Sequence, residues 1–254
     1  MMNRAFQNLR CRLYFEAALP RLASLSQLAP GRLACLRGRR VLIVLRTRSG
    51  LRLPLAFRGG HISVEEPEGL PLLELLFNTD EQANRTFMGR PALPPMPVRG
   101  LHRLGQARLL KDASAELDRL VKPGARVAEP EQGLAARLIA EVALAALPVL
   151  ARHEPKAREA MRGGPHGLAL FSVAGDFRAW VRVAGDETAW GLGKPPGTPR
   201  VHVRFADSGI AYRAFNNKLD TQAAIGRGEL GVEGYVPLAD HLDRLMVRLQ
   251  EYLG

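Results

Sequence analysis

Apolar and polar positions fall into two long blocks in this chain, and helical spacing gives way to alternation in each. Phe6, Leu9, Leu13 and Ala17 recur on one face and predict a helix over residues 3–19. Val41 to Leu45 is wholly apolar, the pattern of a fully buried strand, and residues 51–57 alternate. Short strands are predicted at 61–64 and 72–77. Thr79-Asp-Glu-Gln82 opens a helix, followed by a strand at 100–104 and a helix at 107–120. Residues 122–132, with Pro123, Gly124 and Pro130, read as a linker. The order then recurs. Helices are predicted at 133–153 and 155–161, strands at 168–173, 177–184, 187–192 and 200–206, a helix at 208–217, a strand at 230–232 and a helix at 237–252. Each block reads as helix, four strands, helix, strand, helix. The predicted class is α+β, two domains at 1–122 and 133–254, each a mainly antiparallel five-stranded sheet, laid out as a meander and covered by helices.

A displacement of 128 residues aligns the blocks. Ala17-Ala-Leu-Pro20 falls on Ala145-Ala-Leu-Pro148, and Pro67, Gly69 and Pro71 fall on Pro195, Gly197 and Pro199. Phe77, Ala83, Arg85 and Phe87 fall on Phe205, Ala211, Arg213 and Phe215, and Arg99-Gly100 on Arg227-Gly228. After a length change, Leu117-Asp-Arg-Leu120 matches Leu242-Asp-Arg-Leu245. Gly and Pro fix particular backbone dihedrals, so matches at these residues predict a matched backbone. The period is a domain's length, so the reading is a tandem duplication. In the first copy Pro94 falls opposite Gln222, and a proline-dense loop replaces a helical turn of the second.

The 254 residues suffice for two domains with sizeable cores. The longest apolar run, 142–150, is interrupted by Pro148, and no run is expected to cross a bilayer. Cys11 and Cys35 lack the spacing of a disulfide framework or zinc site, which points to a reducing cytosol. The N-terminus makes a poor signal peptide, while its Arg-rich, acid-poor composition also suits a mitochondrial transit peptide. The net charge of +11 resides in the first 60 residues, where twelve arginines face one acid, Glu16. A basic solvated surface, an anionic membrane, an acidic ligand or partner and nucleic acid each fit that excess.

Residues 222–234, Gln-Ala-Ala-Ile-Gly-Arg-Gly-Glu-Leu-Gly-Val-Glu-Gly, precede a final amphipathic helix. This stretch and the element order resemble the SCP2 sterol-carrier family, whose signature is Gln-Ala-x-x-x-Gly-Lys-Leu-x-Val-x-Gly. Arg227-Gly-Glu-Leu230 replaces the family's basic-Leu step, and Tyr235 stands where the family often has Asp. The resemblance spans 168–249 and reaches 41–120 through the repeat. It implies an apolar tunnel for sterols, fatty acyl chains or similar lipids and no catalysis or cofactor. Some family members handle polyprenyl intermediates of ubiquinone synthesis. Phe205, Ile210, Phe215, Ile225, Leu238, Leu242, Leu245 and Met246 are the candidate lining, and Gln222 stands where the signature Gln lies near the ligand. Packed as a solid core, the same residues would instead make an interaction scaffold.

The six histidines form neither HxH nor HExxH, and there is no GxSxG elbow, so neither a metal site nor an enzyme is expected. Arg4, Arg12, Arg37, Arg39 and Arg40, with the first helix, are candidate contacts to an anionic membrane. Nucleic acid is disfavoured because no aromatics interleave Arg32 to Arg58 except Phe57 at its end. A cytoplasmic lipid carrier, peripheral to membrane and serving a lipid-processing enzyme, is the expectation.

Overall fold

The computed structural model describes residues 4–185 and 187–253. The chain divides into two compact units, the first ending at Arg119 and the second beginning at Leu120. The fold is α+β, with one five-stranded mixed sheet and covering helices in each unit.

In the first unit α1 (Arg4–Arg12) runs into a π-helical stretch, Leu13–Ala18. α2 (Arg21–Leu28) follows, and then a 3₁₀ stretch, Pro30–Leu36, opened by Pro30. The strands are β1 (Arg40–Thr47), β2 (Arg52–Arg58), β3 (His61–Ser63) and β4 (Leu72–Phe77). After them come α3 (Asp80–Phe87), β5 (Met96–Arg99) and α4 (Ala107–Val121), which runs across the unit boundary. The sheet order is β3-β2-β1-β4-β5. β4 lies parallel to β1, and the other pairs are antiparallel. This corrects the meander, which would leave β1 at an edge. Val41 to Leu45 are all buried, as a central strand covered on both faces requires.

The second unit starts with α5 (Gln132–His153) and α6 (Pro155–Gly163). Then come β6 (Gly167–Val173), β7 (Arg178–Ala184), β8 (Glu187–Leu192) and β9 (Val201–Phe205). α7 (Ser208–Phe215), α8 (Thr221–Gly226), β10 (Leu230–Gly234) and α9 (Val236–Leu253) complete it. The order β10-β9-β6-β7-β8 again pairs the first and fourth strands in parallel. Only the length of α5 exceeds expectation: Glu129–His153 is long and apolar enough to cross a bilayer, with mean hydropathy 1.9, and Pro148 lies inside the helix as predicted. Within this unit it is a core helix, 72% of its most apolar window being buried.

Matched backbone demands appear in both units. Thr79 accepts a hydrogen bond from Gln82 N (3.0 Å) at the start of α3, and Asp207 accepts one from Ile210 N (2.8 Å) at the start of α7. Gly100 (φ 75°) directly follows β5, and Gly234 (φ 92°) is the last residue of β10. A Cβ would lie 2.1 Å from Leu72 O at the first and 2.3 Å from Arg200 O at the second. Gly100 therefore corresponds to Gly234 and not, as the sequence alignment has it, to Gly228, where a Cβ meets open space. The length change comes earlier, between Phe87 and Met96: the first unit has an irregular loop where the second has α8.

Candidate functional site

The candidate lining in the second unit is built on the end of β9. Phe205 closes that strand, and the Asp207 cap turns the chain into α7. Phe215 on α7 meets Phe205 edge-on, with centroids 5.4 Å apart at 69°. Ile210 on the same helix is buried. α9 packs against β6, β9 and α5. Its Leu238, Leu242 and Leu245 lie at i, i+4 and i+7 and form one buried stripe, while Met246 and Phe215 are half-buried. Near its C-terminus α9 is fastened by Arg248, whose Nε donates to Glu154 Oε1 (2.7 Å) and Oε2 (2.6 Å). Tyr252 Oη donates to Glu154 Oε1 at 3.1 Å.

Seven of the nine predicted residues thus lie within or at the edge of this apolar layer. Gln222 and Ile225 stand exposed on α8, Ile225 at 49%. The cap of α8 is Asp220, which accepts from Ala223 N at 3.0 Å, so Gln222 is not needed to close that turn.

The first unit arranges its layer differently. Phe77 and Phe87, each 128 positions before Phe205 and Phe215, are 5.5 Å apart. Phe15 packs edge-on against both, at 6.4 and 6.0 Å, and Tyr14 lies 5.7 Å from Phe87. Burial pushes the Tyr14 hydroxyl pKa up to about 12. In the same register the second unit has Val142 and Ala143, and Ala143 is half-exposed whereas Phe15 is buried. In the first unit Tyr14 and Phe15 join Phe77 and Phe87 in one cluster of four rings; in the second, Phe205 and Phe215 pair without rings from α5.

Two grooves lie elsewhere. One of about 450 Å³ in the first unit is lined by Cys35, Arg39, His102, Arg103, Arg108 and Asp112, among others. One of about 540 Å³ in the second unit has Arg152, Arg158, Arg162, Arg182 and Glu187 in its wall. Neither takes in the predicted lining residues. The arginine groove carries no local sequence motif, because its residues come from α5, α6, β7 and β8.

The candidate membrane contacts separate. Arg4, Arg37, Arg39 and Arg40 are exposed, while Arg12 is half-buried and paired with Glu16 at 3.2 Å. The apolar side of α1 and its continuation, through Leu9, Leu13 and Ala17, is buried within the unit. That side is therefore not free to lie on a bilayer. Among the described residues, no three His, Cys, Asp or Glu side chains group as a metal site.

No family model and no curated protein matches this chain. Solved structures similar to it include apo sterol carrier protein 2 from Yarrowia lipolytica, 15% identical, covering 40% of this chain and 91% of that one with a TM-score of 0.33. Sterol carrier protein domain 2 of Helicoverpa armigera is 15% identical, covering 50% and 96% with a TM-score of 0.33. A UbiJ-SCP2 ubiquinone synthesis protein is 18% identical, covering 42% and 85% with a TM-score of 0.32.

Proposed function

We propose that the second unit binds the apolar part of a lipid, a fatty acyl, polyprenyl or sterol-like chain, and transfers or presents it without acting chemically on it. We infer further that the two units are copies of one duplicated domain, and that the first has been filled. The observation that carries this reading is the small pair Val142 and Ala143 in the register where Tyr14 and Phe15 complete the first unit's ring cluster. The signature-like segment 222–234 and the apolar stripe of α9 support it.

Magnitudes restrict the ligand. Each buried methylene contributes about 0.8 kcal/mol, while association costs at least about 4 kcal/mol. A chain of about sixteen methylenes then reaches micromolar affinity, and a short acid does not. The α9 stripe is buried while α8 carries exposed Gln222 and Ile225, so uptake is expected to move α8 and the start of α9 outward. The Glu154 clamp meanwhile holds the other end of α9.

Native mass spectrometry of the purified chain, followed by titration with palmitate, cholesterol and a polyprenol, tests the proposal. Bound lipid, or uptake of one of these probes, is expected. Ala143→Phe is expected to reduce uptake at least tenfold, with the circular dichroism spectrum unchanged. Leu242→Arg is a poor substitute, since it puts a guanidinium at a position only 1% exposed. A ligand-free protein that takes up none of the probes overturns the reading. The buried stripe on α9 would then favour a scaffold whose interior is filled by its own side chains.

A further inference from the structure

The irregular segment between α3 and α4 carries a concentration of features that the lipid-cargo reading does not use. Leu93 is 80% exposed and Leu101 is 67% exposed, and Met96, Val98 and Leu104 are also exposed. Five large apolar side chains thus face water within twelve residues. Residues 82–111 contain Arg85, Arg90, Arg99, Arg103, Arg108 and Lys111 and no acid. Three of the arginines approach carboxylates from outside that run, loosely: Arg85 to Glu81 (3.8 Å), Arg99 to Glu74 (3.7 Å) and Arg108 to Asp112 (3.8 Å). The pairs to Glu81 and Asp112 are exposed, and buried Glu74 is bound more closely by Arg46 (2.8 Å), so most of the cationic field stays in place. The 450 Å³ groove with Arg39, His102, Arg103 and Arg108 in its wall opens on the same segment.

The backbone of this loop suits an apolar surrounding. Pro91, Pro94, Pro95 and Pro97 have no N–H to leave unsatisfied. Several of its carbonyls are already occupied. Gln82 Nε2 donates to Leu93 O and Pro94 O, both at 3.0 Å, and Arg85 Nε donates to Pro91 O at 2.8 Å. These bonds hold the loop with Leu93 at its tip. The same prolines argue against a second copy adding a strand here, because Pro97 removes a donor from edge strand β5. Nucleic acid fits less well, since no Phe, Tyr or Trp lies between Phe87 and Phe171 for bases to stack on.

We propose that residues 90–108 of the first unit form a docking face for an anionic phospholipid bilayer. Leu93, Met96, Val98, Leu101 and Leu104 enter the headgroup–acyl boundary, and Arg39, Arg103 and Arg108 take lipid phosphates in the adjoining groove. This places the membrane contact away from α1, whose apolar side is buried, and it stands independently of cargo binding in the second unit. Apolar insertion and attraction to anionic headgroups reinforce each other at such a surface.

Flotation of the full chain with vesicles of phosphatidylcholine, alone or mixed with phosphatidylglycerol, tests the proposal. Binding to the mixed vesicles is expected, weakening as salt is raised. The double variant Leu93→Ser, Leu101→Ser is expected to bind about tenfold more weakly, and Val247→Ser, an exposed apolar change in the second unit, to bind as the unaltered chain does. Leu93→Trp is expected to shift its emission to the blue with mixed vesicles and to be quenched by brominated acyl chains. Equal binding to neutral vesicles, no binding to either, or full binding by the double variant overturns the proposal. Self-association or salt-steep DNA binding lost in the double variant, without vesicle binding, also overturns it in favour of those partners.

Discussion

The two units share a sheet and differ in what lies beneath their helices. Both place the first and fourth strands side by side in parallel, both cap the following helix with a short polar side chain, and both end the sheet on a glycine pressed against a carbonyl. The first then packs Tyr14 and Phe15 onto Phe77 and Phe87, and crosses from α3 to β5 by an exposed proline loop. The second leaves Val142 and Ala143 in that register and crosses by α8. The frame is set where backbone geometry admits few residues. The filling is free to diverge because side chains of any size can meet across the same frame, at the cost of space left open or closed.

The largest test removes the filling. Phe15→Ala is expected to cost the first unit about 3–5 kcal/mol, as loss of a buried ring does. Hydrogen exchange resolved by segment should place that loss in β1, β4 and α3 and leave the second unit's protection unchanged. A loss spread over both units would mean that they do not unfold separately. Next come the paired glycines. Gly100→Ala and Gly234→Ala each put a Cβ into a carbonyl at a positive φ, and each is expected to cost about 2–4 kcal/mol in its own unit. Closely similar losses support one frame used twice; a mild effect at either glycine would break the equivalence. Glu154→Ala follows, at about 2 kcal/mol, because it strands Arg248, which is partly screened by water. Chemical denaturation should register this loss in the second unit.

Much of the architecture was legible in the sequence, for identifiable reasons. Every strand that buries one or both faces announced itself by alternation or by an apolar run, and Thr79 marked a helix start. Strand order was less legible. Val41 to Leu45 carried the signal of a central strand, but chain order alone suggests a meander, and only the pairing of β1 with β4 separates the two. The site divided in the same way. Helical spacing located Leu238, Leu242 and Leu245 on the inner side of α9. Gln222 rests on the signature, which fixes identity and not facing, and Ile225 on its apolar character alone; both lie outside. The sequence shows the loop around Leu93 only as a proline-dense replacement for a helical turn, since exposure of an apolar residue depends on what fails to cover it.

The smallest expected difference concerns pH. The buried stripe of α4 holds Leu109, Leu110, Ala113, Leu117 and Leu120 and no titratable group, whereas α9 buries His241 among its leucines. The ring lies over Gly164, where a Cβ would come within 2.5 Å of its Cε1, and its Nε2 has no hydrogen-bond partner among the described residues. Burial lowers the His241 pKa below that of an ordinary histidine. Arg244 and His166 lower it further, and Asp240 opposes them. The folded unit thus keeps His241 neutral, while the unfolded chain takes up a proton at about pH 6.5. The stability this contributes is complete above that value and is lost as pH falls through it toward the lowered folded value. His202, lowered by burial and by Arg204 and held at 2.8 Å by Ser172, acts in the same direction. Between about pH 7 and pH 5.5, exchange protection of the second unit should therefore fall more than that of the first. His241→Gln should flatten part of the decline, and His202→Gln in the same chain should remove most of the rest. A decline of equal slope in both units would show that the pH dependence comes from groups the two have in common, and the buried histidine would not distinguish them.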